Sequence, residues 1–126
     1  MKVFIGVIIF FLIFSVAGWT TEQIIARQAE EILTQLERLA TSVKAAEPEA
    51  ITAQLERINH LWVKARNVWV FLIDHHDLDR FEVALARTKA YLDNQAPVLA
   101  MSEIAELKQI IYRIPDELRL TWENIF

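Results

Sequence analysis

The chain contains no cysteine. That excludes a disulfide framework, a thiolate nucleophile, a cysteine-bound metal or iron–sulfur centre and an acylated lipobox cysteine. Glycine is nearly as scarce: Gly6 and Gly18 are the only two, so neither a glycine-rich phosphate loop nor a chain of tight glycine turns is available. Proline occurs three times, at Pro48, Pro97 and Pro115. Each opens or closes an interval of helical periodicity, as expected of a residue that cannot continue a helix hydrogen-bond ladder. Charge is missing from one stretch altogether. Between Lys2 and Glu22 no ionisable side chain occurs, and Ser15 is the only clearly polar residue from Val3 to Trp19.

That apolar run predicts a membrane anchor. Its 17 residues span roughly 25 Å as a helix at about 1.5 Å per residue. Lys2 can snorkel at one end, Thr20 and Thr21 can extend the helix at the other, and Trp19 lies where an interfacial aromatic belongs. A soluble core helix needs a polar face, which this segment lacks for four turns. The competing reading is a cleaved signal peptide, because Ser15 and Ala17 have the small-residue spacing for cleavage after Ala17. Against it stand the minimal basic region and the bulky Trp19. With Lys2 and the amino terminus on one side and an acidic flank on the other, the expected topology is N-terminus cytoplasmic and helical domain extracytoplasmic. The expected division is an anchor over residues 1–21 and an exported domain over residues 22–126.

The whole chain has 13 basic and 17 acidic residues. Removing Lys2 leaves 12 against 17, net −5, on the exported part. This argues against a nucleic-acid or anionic-lipid footprint. An exported domain of this size without disulfides must be held by helix packing or by a partner.

Apolar positions recur at steps of three and four. The first series is Ile25, Ala29, Ile32, Leu36, Leu39 and Val43. The second is Ile51, Leu55, Ile58, Trp62, Ala65, Trp69 and Leu72. Leu78, Phe81, Leu85, Thr88 and Leu92 form a third, and Ala100, Ile104, Leu107, Ile111 and Ile114 a fourth. The pattern predicts an all-α fold, in which an N-terminal transmembrane helix leads into an antiparallel helical-hairpin bundle. Reversals are expected around Ala45–Pro48, across residues 74–78 and around Asn94–Pro97. Nothing breaks the chain at residues 19–22, so the first bundle helix can continue straight out of the anchor. The heptad spacing suits a homodimeric coiled coil as well as an intramolecular bundle.

The opening residues 1–10, the segment from Trp62 through Trp69 to His75 with Leu78, Asp79 and residues 81–87, and the closing Glu106–Lys108, Ile114-Pro115 and Asn124-Ile125 together resemble DUF4363. This is an uncharacterised bacterial family of small membrane-anchored proteins. The resemblance implies a single-pass bacterial membrane protein, chiefly of spore-forming Gram-positive bacteria. It also implies an integral membrane partner of the DUF421 type, and it brings no catalytic residues.

Two constellations are candidates for function. Asp74, His75, His76, Asp77, Asp79 and Arg80 concentrate carboxylates and imidazoles. On a helix, adjacent His75 and His76 diverge by about 100°, so no face gathers three ligands. The expected role of Asp74, His75, Asp77 and Asp79 is therefore a structural helix corner. Asp74 or Asp77 would cap the following helix, Asp79 and Glu82 would favour its first turn, and Asp74 and His75 would form a partly buried pair. No metal ligand set and no cofactor are assigned. Trp62, Arg66 and Trp69 share a helix side and are expected to anchor a protein partner if exposed, with core packing as the alternative. Trp122, Ile125 and Phe126 form an apolar tail expected to fold back onto the bundle. The functional expectation is a non-enzymatic, membrane-anchored accessory or structural protein that binds a membrane-protein partner through extracytoplasmic helices. The alternative is a ligand- or metal-ion-sensing ectodomain acting through a separate partner. Ser42 and Ser102, the serines outside the anchor, lie in no nucleophile motif.

Overall fold

A computed structural model describes the backbone of residues 1–125 and their side chains except at 121, 122, 124 and 125. Four helices follow in order: α1 (Lys2–Lys44), α2 (Pro48–Trp69), α3 (His75–Asp93) and α4 (Pro97–Ile125). Among the described residues there is no strand. The all-α hairpin architecture expected from the periodicity is the one observed.

Helix α1 runs for 43 residues without a break, at roughly 65 Å by the α-helical rise. Its first half is apolar and exposed: an 18-residue window has mean hydropathy 2.5 and none of it is buried within the protein. Its second half supplies the core from Ile25 onward. The helix passes through residues 21 and 22 unbroken, and along this one rod the side chains change from exposed to buried. Thr20 and Thr21 lie at this transition, and their hydroxyls donate back to the carbonyls of Val16 and Ala17, each at 2.8 Å.

In the bundle, α1 packs against α2 and α4, and α3 packs against α4. Helices α2 and α3 meet instead through large side chains. Trp62 stacks on Phe81 with ring centroids 4.1 Å apart, and meets Trp69 edge to face at 5.8 Å. All six positions of the first apolar series and all five of the last are buried. In the second, Ile51 and Leu55 are partly buried against the core, and Leu72 falls beyond the end of α2 and is exposed, while Ile73 turns inward.

The two far-end reversals use one device. After α1, Ala46 N–H bonds to Val43 O and Glu47 N–H to Ser42 O. After α3, Gln95 N–H bonds to Leu92 O and Ala96 N–H to Tyr91 O. These are Schellman closures, and they place Ala46 and Gln95 at φ 52° and 55°, a conformation that ordinarily calls for glycine. Pro48 and Pro97 then open α2 and α4, where a missing amide hydrogen costs nothing.

Two boundaries need correction. The third reversal occupies residues 70–74 rather than 74–78, because Asp74 caps α3 and the helix starts at His75. Pro115 does not delimit a helix but lies inside α4. An internal proline costs roughly 3 kcal/mol. Burial of Ile114 and Leu118, with the Arg119–Glu22 contact at 3.3 Å, keeps α4 against α1 on both sides of it.

Candidate functional site: the tryptophan stripe and the α2–α3 corner

Trp62 and Trp69 are 3% and 0% exposed. The expectation that they anchor a partner depended on exposure and is corrected accordingly: both indoles belong to the core. The physical reason is the width of the α2–α3 gap, which the Trp62–Phe81 stack fills. Each indole N–H reaches an acceptor at the rim. Trp69 Nε1 donates to Gln28 Oε1 of α1 at 2.9 Å, and Trp62 Nε1 donates to Glu82 Oε1 of α3 at 3.2 Å. Arg66 turns to the same carboxylate, its Nε 2.6 Å from Glu82 Oε1 in a close ion pair rather than an aligned hydrogen bond. Arg66 and Glu82 remain half-exposed.

At the corner, Asp74 Oδ1 accepts from His76 N–H at 3.0 Å and is the N-cap of α3. Asp77, rather than Asp79, supplies the acidic charge of the first turn. His75, His76 and Asp79 are exposed, and Asp74 is exposed as well, so the expected partly buried Asp74–His75 pair does not form. Asp77 lies 3.8 Å from Arg80, which reaches across to Glu106 of α4 at 3.4 Å. One helical repeat further along, Arg87 approaches Glu103 at 3.6 Å. Helix α4 adds a residue that the local motif did not contain. Glu117 hydrogen-bonds to Asp77, and its carboxyl is raised above the ordinary glutamate range. Burial is the largest cause, followed by the bond to Asp77, the charge of Asp77 and the weaker influence of Asp74, against which Arg113 acts. The spacing of Arg80 and Arg87 opposite Glu103 and Glu106 was the available signal that α4 lies here. Among the described residues, no three His, Asp or Glu side chains form a group that could hold a metal ion.

Helices α1 to α4, with the bundle beginning just beyond Trp19, match a family model described as a domain of unknown function, DUF4363, over residues 19–125. The chain belongs to the DUF4363 family. Its match starts where the exposed apolar half of α1 ends and covers the whole DUF4363 bundle. No curated protein and no solved structure matches the chain. The apolar tail formed by Trp122, Ile125 and Phe126 lies outside the described side chains.

Proposed function

We propose that this DUF4363 protein is a non-enzymatic, membrane-anchored accessory protein that presents a helical bundle, outside the cytoplasm, to an integral membrane partner. The observation that carries this reading is α1, a single helix whose first half exposes an almost wholly apolar surface, with Ser15 its one polar side chain between Val3 and Trp19, and whose second half forms one wall of the core. A soluble protein has no use for such a half-helix, whereas lipid or a partner's transmembrane helices can cover it. The charged groups at the corner support the non-enzymatic reading, because Arg80, Arg87, Glu103 and Glu106 tie α3 to α4. With both indoles in the core, the exposed surface between α1 and α4 around Tyr112, Leu33 and Lys108 is the better candidate for the partner's extracytoplasmic contact. The family resemblance makes a DUF421-type protein the first partner to test.

Photocrosslinking amino acids at Phe10, Tyr112 and Val63 in intact membranes test the reading. The expected result is one integral membrane protein captured from Phe10 or Tyr112 and not from Val63. Adducts with lipid alone would reject the partner. Labelling of Tyr112→Cys by a membrane-impermeant maleimide in whole cells checks that the bundle is outside.

A further inference from the structure

The tip of the α2–α3 reversal is apolar and lies at the end of the bundle nearest the anchor. Phe71 is 85% exposed, with Leu72 and Val68 partly exposed beside it, and Leu120 of α4 is also exposed. Two contacts fix the axial level of these residues. Trp69 bonds to Gln28, and Arg119 pairs with Glu22. Gln28 stands about 13 Å and Glu22 about 4.5 Å beyond Trp19 along α1. Leu120, one residue past Arg119, is therefore within a few ångströms of Trp19's level. Phe71, two residues past Trp69 on the side of the anchor, stands roughly 10 Å above it.

A headgroup layer is about 5–7 Å deep on each side of the hydrocarbon. A helix tilt of about 20° lowers a neighbour whose axis is 8–10 Å away by roughly 3 Å more. With the reach of its ring, Phe71 comes to the membrane boundary. A second observation concerns the backbone. Phe71 N–H bonds to Val68 O at 3.4 Å, and Leu72 and Ile73 N–H both bond to Trp69 O, at 3.0 and 2.7 Å. The N–H groups of the tip are thus satisfied within the turn, and its carbonyls suit the hydrated headgroup layer rather than the hydrocarbon. Asp74, His75 and His76 follow at once and are exposed, forming a polar edge behind the apolar tip.

We infer that the Phe71 tip is a second lipid contact, which seats the bundle on the headgroup layer of the same membrane that holds α1. The occupant is phospholipid, held by the ring and by Leu72 rather than by charge, since the neighbouring side chains include Asp74 and Asp77. The inference rests on the anchor reading.

The cysteine-free chain permits single spin labels in the full-length protein, reconstituted in phosphatidylcholine vesicles. Labels go at Phe71→Cys, at Phe10→Cys in the anchor, and at Val98→Cys, which is 81% exposed at the far end of the bundle. Relaxation by oxygen, which concentrates in lipid, is compared with relaxation by a water-soluble nickel chelate. The expected order of shielding from nickel is Phe10, then Phe71, then Val98. A label at Phe71 as open to nickel as that at Val98 overturns the inference. If the Phe10 label is shielded in that case, the anchor reading survives alone; if all three are open, both readings fall. Repeating the measurement at Leu72→Cys guards against a local effect of replacing the phenylalanine.

Discussion

Trp62 and Glu82, twenty residues apart in sequence, join the two consecutive helices whose backbones do not pack closely: the indole N–H donates to Glu82 Oε1 at 3.2 Å. The same oxygen faces Arg66, so one carboxylate completes a buried tryptophan and holds a cation of α2. Glu82→Ala removes both interactions and leaves the Trp62 N–H without its acceptor. The expected cost is about 1–2 kcal/mol, limited by the exposure of the ion pair. Glu82→Gln keeps an acceptor and should cost less. Urea unfolding of the two variants, read by tryptophan fluorescence, separates these outcomes.

Trp69 is fully buried and bonded to Gln28. Trp69→Ala should destabilise the bundle by roughly 3–5 kcal/mol, the range for truncating a large buried aromatic. Trp69→Phe keeps most of the volume and should cost less. Normal thermal stability in the alanine variant would show that this indole is not a core residue.

Ala46 and Gln95 adopt the left-handed conformation in their Schellman closures. That conformation costs a residue with a Cβ roughly 1–2 kcal/mol, whereas glycine loses about 0.5–1 kcal/mol in chain entropy. Ala46→Gly and Gln95→Gly, measured separately, should each stabilise by about 0.5–1 kcal/mol. A loss of stability in either would contradict the geometry assigned to that turn.

Glu117 has a raised carboxyl because burial and the neighbouring Asp77 favour its protonated form. Its folded value lies above its unfolded value. Its contribution is therefore fully present below the ordinary glutamate range and is lost as pH rises through the raised value. Glu117→Gln, a permanently neutral mimic that can donate to Asp77, should be more stable than the parent at pH 7. The difference should vanish near pH 4. Paired chemical unfolding at the two pH values checks this, and an equal difference at both would remove titration of Glu117 as the cause.

Helix-forming series and two of the three reversals were legible because a stripe of apolar residues is local information: Ile25 through Val43 and Ala100 through Ile114 went inside without exception. Leu72 misled because it keeps the α2 spacing past the helix end, where Trp69 O accepts from the turn and redirects the chain. Pro115 misled for the opposite reason. Its local cost is offset by contacts with α1, which no window around residue 115 contains. The fate of Trp62 and Trp69 depended on their neighbours Phe81, Glu82 and Gln28, whose positions follow from helix pairing and not from the stripe. The corner around Asp74 was legible as a cap, but Glu117 enters it from α4 and was not.

In the proposed anchored arrangement, because α1 has no hinge between Trp19 and Ile25, orientation within the bilayer and orientation of the bundle are one variable. The stretch from Trp19 to Lys44 is a lever of roughly 37 Å, so a 10° rocking of the apolar segment swings its far end by about 6 Å. One residue inserted between Trp19 and Ile25 would turn the bundle by about 100° relative to whatever grips the apolar segment. The azimuth at which this protein faces a neighbour is thus written into the number of residues separating its exposed apolar side chains from its core.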